Sequence, residues 1–313
     1  MNVQATDVSI VTSLYESAEH LAGFLEQIEA CLRTVESCGY SAEMIIVSNS
    51  PSRRERIALN AAFDLPWWRE HGRLIVVERE TLYASWNRGV RASSGAVVTF
   101  WNVGDCRNPD AIVEGIELVR DGNSVLRLPY VVVIERRISR HETRRHIEIR
   151  DREREDALNP ETDFCLGPFF MFAKHAFDDL GSFDEQFHIV GDFDWQLRVV
   201  PYTGMAWGQR LGGAFFVDET SLSNSGSQRL LVEHNVLTRR YEIDRPLLAL
   251  DHRGEMLSSS YRVSQLAADG CTDDWSYDRQ WRRHKAWSRI YRRCRRFVGA
   301  PVRLVRRRER TSR

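Results

Sequence analysis

Leu74–Asp105 reads LIVVERETLYASWNRGVRASSGAVVTFWNVGD, and this pattern decides the fold. Two runs rich in β-branched residues, LIVV from Leu74 and AVVTFW from Ala96, are near-continuously apolar, as strands covered on both faces of a parallel sheet must be. Between them Leu82, Trp86 and Val90 recur every four residues, which puts one apolar helical face against that sheet. Gly95 is expected to end the helix. Ligands of open α/β sheets bind beyond the carboxyl ends of the strands, so Asn102, Gly104 and Asp105 sit where a ligand is expected.

Toward the N-terminus, Val8 to Leu14 reads as a buried strand and a helix is expected from near Ser17. Its apolar stripe is Leu21, Leu25, Ile28, Leu32 and Val35, and Gly39 closes it. Met44 to Val47 is the next strand, ending in Ser48-Asn49-Ser50-Pro51. A strand–helix–strand opening of this kind requires a parallel crossover.

On the other side, Asn108-Pro109 starts a helix with Ile112, Ile116 and Val119 facing inward. SVLRLPYVVVI, from Ser124, reads as one strand, and RRHIEIR, from Arg144, as another with one face in water. Glu135 to Asp156, dense in both charges, reads as a solvated hairpin. Asp163 to Val200 reads as an apolar strand, a helix from Lys174 to Leu180, a turn through Phe183-Asp184-Glu185 and a helix from near Asp192. Residues two apart on a helix point roughly 200° apart, so Asp192 and Asp194 cannot both face one cleft. One can serve a substrate while the other caps or pairs; either would also stabilise the first turn. Leu211 to Val217 reads as an edge strand, and Ser221 to Tyr241 as a loop followed by a helix.

These motifs resemble those of the family 2 glycosyltransferases. The matching residues are Asn87-x-Gly89, Ala92-x-x-Gly95, the strand after it, and Asp105 four residues before Pro109. Further on they are Gly167-Pro168, Gly181-x-Phe183-Asp184-Glu185, and the Asp192-Phe193-Asp194 helix start. The resemblance spans about residues 7 to 242 and is most specific at 82–109 and 167–198. It implies an α/β, GT-A-like (Rossmann-like) mixed sheet flanked by helices over 1–245, with a donor half to about 125 and an acceptor half from about 126. A linker at 246–272 and a basic C-terminal helical extension at 273–313 would follow.

The implied reaction moves a sugar from a nucleotide-diphosphate donor to an acceptor hydroxyl with inversion. By resemblance Asp192 is the catalytic base and Asp105 holds a divalent cation, Mg²⁺ or Mn²⁺. Thr12, Tyr15, Glu16, Ser48, Asn49, Asn87 and Asn102 bind or position the donor. The chain departs from the family pattern at Asn102, Gly104, Ser48 and Asn49, where Asp is usual, and at Gly191, where an acid usually precedes the base. SLSNSG, 221–226, offers no metal-binding histidine, and His234 falls within the helix that follows. Without the resemblance, Ser48 to Pro51 reads as a turn alone.

With 313 residues, 42% of them hydrophobic, the chain can bury one large α/β domain with a small appendage. Its zero net charge hides an asymmetry: Arg279–Arg313 holds fifteen Lys/Arg and one acid, +14, leaving 29 basic and 43 acidic residues, −14, in the rest. Six cysteines without a Cys-x-x-Cys pair fit a reducing compartment. With no leader pattern and no run of eighteen apolar residues, the expectation is a cytoplasmic protein, peripheral at the inner face of the membrane.

In the extension Tyr277, Trp281, His284, Trp287, Tyr291, Cys294 and Val298 follow spacings of four and three, with arginines around the rest of the circumference. That describes a helix lying on an anionic membrane surface, which suits a glycan or lipid-linked acceptor of envelope polysaccharide synthesis. Nucleic-acid binding and docking of the aromatics on the chain's own domain are the competing readings. Two other functions stay open: a non-catalytic sugar-nucleotide-binding protein, and a nucleic-acid-associated protein acting through the basic tail.

Overall fold

The computed structural model describes residues 6–137, 143–155, 158–217, 228–243, 248–250 and 256–258. The chain divides into two compact units, Met1–Gly226 and Ser227–Arg313. The first opens with β1 (Val8–Leu14), α1 (Leu21–Ser37), β2 (Ala42–Asn49), α2 (Arg53–Phe63), α3 (Pro66–His71), β3 (Gly72–Val77), α4 (Leu82–Ala92) and β4 (Val97–Phe100). It continues with β5 (Cys106–Arg107), α5 (Pro109–Arg120), β6 (Val125–Arg127), β7 (Tyr130–Arg137), β8 (Thr143–Arg150) and α6 (Arg152–Glu155). It closes with β9 (Met171–Ala173), α7 (Lys174–Leu180), α8 (Gly191–Thr203), β10 (Ala206–Trp207) and β11 (Gly213–Val217). The second unit contains α9 (Gln228–Arg240) and an antiparallel pair, β12 (Leu248–Leu250) and β13 (Met256–Ser258). The basic aromatic extension, 273–313, lies outside the described residues.

The main sheet has the order β10-β6-β9-β4-β1-β2-β3. Its pairs are parallel except at β9, which runs antiparallel to both β4 and β6. This is the mixed α/β sheet flanked by helices that the sequence implied. One face packs on α1 and α5 through Val8, Ile10, Met44, Ile46, Leu21, Phe24, Ile28 and Ile112. Strand alternation sends Phe100 and Phe172 to the other face, where they join an aromatic cluster. There Trp86 of α4 stacks on Phe100 at 3.8 Å, Phe172 meets Trp195 of α8 at 5.0 Å, and Phe183 meets Trp195 at 5.2 Å. Thus the helix after β3 and the helix bearing Asp192 share one core.

Several expected boundaries move, each for a local reason. α1 begins at Leu21 rather than near Ser17, whose backbone N–H goes to the Glu55 carboxylate instead. β3 forms the sheet edge, with Val76 54% exposed, so its apolar run is not covered on both faces. α4 ends at Ala92, and Gly95 serves close packing: a Cβ there would lie 2.5 Å from the Ser9 nitrogen of β1. The single strand expected from Ser124 splits at Leu128-Pro129 into β6 and β7, which belong to different sheets. β11 lies between β5 and β7 and is no edge. The solvated hairpin is present as β7 and β8, with Ile147 and Ile149 exposed.

Candidate functional site

β1, β2 and β4 run parallel, so the segments after them gather at one end of the sheet. Glu16 after β1 and Ser50 after β2 adopt φ of 50° and 53°, left-handed backbone that residues with a Cβ rarely take. Both line a cleft of about 530 Å³ together with Tyr15, Glu19, Ser52 and Glu55. The Arg79 guanidinium sits 3.4 Å from the centroid of the Tyr15 ring, a cation–π contact. Glu55, buried, accepts the backbone N–H groups of Ser17 and Ser52, each at 2.7 Å, and so joins the loop after β1 to the start of α2. Burial pushes its carboxyl pKa up, but the bonds from Ser52 and Ser17 outweigh this and leave it below the ordinary value.

The other donor candidates act on the loops. Thr12 donates its hydroxyl to the Trp101 carbonyl at 2.5 Å, tying β1 to the end of β4. Asn49 grips the backbone of Glu80, donating to its carbonyl at 2.9 Å and accepting its N–H at 3.0 Å. Asn87 grips Phe183 in the same way, at 2.9 and 3.0 Å, and also donates to the Glu185 carboxylate at 2.9 Å. Its bare sequence reading is an ordinary surface polar, yet it is fully buried. Ser48 is buried too, and its hydroxyl has no hydrogen-bond partner among the described residues. Tyr15, 40% exposed, and Glu16 are the candidates that line the cleft directly.

After β4 the chain turns tightly. The Asp105 N–H donates to the Asn102 carbonyl at 3.2 Å, Gly104 takes φ +94°, and the Trp101 indole donates to the Asp105 carbonyl at 2.9 Å. Asp105 is 4% exposed; its Oδ1 accepts the Phe216 N–H at 3.1 Å, and Oδ2 has no partner among the described residues. Burial pushes its pKa up to about 7, opposed by the Phe216 N–H, Arg107 and Asn102. Arg107, missed in the sequence, is buried beside it and donates to the Thr99 hydroxyl at 2.6 Å. Among the described residues no group of three or more His, Cys, Asp or Glu is placed to hold a metal. An orphaned carboxylate oxygen with a neighbouring amide nevertheless fits a hard cation whose other ligands are substrate phosphates and water.

Asp192 lies in the first turn of α8, partly exposed. Its Oδ1 accepts the Phe193 N–H at 2.9 Å and lies 3.1 Å from the Tyr83 hydroxyl of α4. Asp194 is fully buried and paired with Arg198 Nε at 3.1 Å; Arg198 in turn donates to the Ser182 carbonyl at 2.7 Å. The two carboxylates therefore separate as their spacing requires. A Cβ on Gly191 would lie 2.6 Å from the Tyr83 ring, so the space next to Asp192 is taken by the phenol. Tyr83 was not legible as a site residue, although it stands four before Asn87 and so shares its helical face.

The sequence model of a family described as "Glycosyl transferase family 2" matches residues 9–181. Among solved structures, S. aureus TarS 1–349 matches with a TM-score of 0.51 at 14% identity, covering 75% of this chain and 65% of that one. The same protein in complex with UDP-GlcNAc matches at 0.53 and 13% identity, covering 75% and 66%. This chain thus spans just under two thirds of those chains, and the likeness is one of fold. No curated protein matches the chain.

Proposed function

The chain belongs to glycosyl transferase family 2, and we propose that it moves a sugar from a nucleotide-diphosphate donor to an acceptor hydroxyl with inversion at the anomeric carbon. The observation that carries this reading is the division between two carboxylates on one helix. Asp194 is spent on Arg198 inside the fold, whereas Asp192 stays partly exposed at the helix start. Asp192 takes the proton of the acceptor hydroxyl as its oxygen attacks the anomeric carbon, on the face opposite the departing diphosphate.

The cleft at Tyr15 and Glu16 receives the nucleoside, beside a Tyr15 ring that already carries the Arg79 guanidinium on one face. That TarS is solved with UDP and with UDP-GlcNAc is in keeping with a nucleotide sugar at this end of the sheet. Asn49 and Asn87 support the donor through the loops they hold. Asp105 and Asn102 would hold Mg²⁺ or Mn²⁺, which supplies charge neutralisation for the leaving diphosphate when bound. The basic segment from Arg279 is assigned to an anionic membrane surface at the cytoplasmic face, where a lipid-linked or envelope glycan acceptor would be met. No helix among the described residues is long and apolar enough to cross a membrane.

The test is calorimetric titration of UDP, GDP and TDP, with and without Mn²⁺, into wild type and Asp105→Ala. One nucleotide is expected to bind with Mn²⁺ and to weaken at least tenfold, about 1.4 kcal/mol, in the variant. No binding under any condition would remove the donor site. The lone acid of the 102–105 turn also favours a second reading, a sugar-nucleotide-binding protein without turnover. It predicts the same binding with no nucleotide released from any sugar donor.

A further inference from the structure

We propose that Tyr83 is the positioning residue for Asp192, holding its carboxylate through Oδ1. The inference rests on Asp192 being the base. Tyr83 is 1% exposed, and its hydroxyl lies 3.1 Å from Asp192 Oδ1 and 2.7 Å from the Ile189 carbonyl oxygen. A phenol has one proton to donate, so these two acceptors compete for it.

The shorter contact is the one to Ile189, and ionisation of Asp192 adds charge assistance to the longer one; the phenol and the Phe193 N–H converge on Oδ1 and anchor that oxygen. During transfer the acceptor O–H pair becomes the new bond to the anomeric carbon, its proton passes to Asp192, and the diphosphate leaves with the pair from the broken bond. The carboxyl is then neutral, and the phenol turns its proton to Ile189 without moving its oxygen. The ring cannot drift, because it lies over Gly191 and meets Trp86 edge-on at 5.4 Å. Gly191 is thus the counterpart of Tyr83: an acidic side chain at 191 would need the space that the ring fills.

Tyr83→Phe keeps the ring and removes the hydroxyl alone. With full-length protein, UDP-GlcNAc, UDP-glucose and GDP-mannose as donors and water as acceptor, nucleotide release should lose about tenfold in kcat while KM stays within twofold. In an Asp192→Asn background the same replacement should cost less than twofold, since the two residues act as a unit. Equal losses in both backgrounds, or a loss confined to KM, would overturn the proposal. Wild-type turnover by Asp192→Asn would instead sink the reading of Asp192 itself.

A second measurement needs no turnover: hydrogen exchange of the Phe193 amide, which shares Oδ1 with the phenol. It should quicken about tenfold in Tyr83→Phe while the Ile10 amide of β1 keeps its rate. An unchanged Phe193 rate, or acceleration of both amides alike, overturns the proposal and decides the case if none of the donors is consumed.

Discussion

At the scale of single residues, the proposed base Asp192 stays partly exposed, whereas Asn49, Glu55 and Asn87 are buried and hold loops. Asp192→Asn should lower kcat by about 10²–10⁴ and leave nucleotide affinity unchanged, which release assays and calorimetry on the same sample would check. Glu55 is the sharpest test of the second kind. Its folded pKa lies below the ordinary glutamate value of 4.5, so its stabilising contribution is present above that pH and is lost as pH falls through the lowered folded value. Glu55→Gln should cost about 1–3 kcal/mol at pH 7 and flatten the loss of stability below pH 4.5, as denaturant midpoints at a series of pH values would report. The sequence put Asn49 at the end of a strand and Asn87 within a helix, but it did not give their partners: each spends its amide on a backbone segment at least thirty residues away, Glu80 and Phe183. Such pairings depend on tertiary contact, which no local pattern records.

At the scale of elements, periodicity worked wherever burial was one-sided or complete, and failed where topology decided. The α1 stripe, the Asn108-Pro109 start of α5 and the Lys174–Leu180 helix all stand as read. The position of β3 at the edge could not be read, because an apolar run looks the same at the centre of a sheet and at its border. Gly95 shows the same limit, since a glycine that ends a helix and one that admits a neighbouring strand are identical in sequence. Gly89 is a sharper instance, packed so closely that a Cβ would lie 2.2 Å from Val11 Cγ1. Gly89→Ala should therefore push α4 off β1 and cost about 1–3 kcal/mol, seen as a lower urea midpoint with an unchanged slope.

At the scale of the whole molecule, charge and topology carry separate consequences. A chain ending at Asp278 would lose the +14 segment and be left at −14. Flotation with phosphatidylserine vesicles should show full-length protein bound at low salt, released at high salt, and the truncated chain unbound throughout. Retained binding by the truncated chain would place the membrane contact elsewhere. The antiparallel β9 has a consequence for synthesis. It alone joins β4 to β6, by pairing Met171 with Thr99 and with Leu126. As the ribosome delivers the chain at roughly 5–20 residues per second, β4 stands with an open edge for several seconds or more before its neighbour emerges. For that interval the nascent protein holds β4-β1-β2-β3 with a bare border while β6 has no partner strand, because β10, its other neighbour, is made later still; a chaperone covering the border strand would have its work set by the position of three residues.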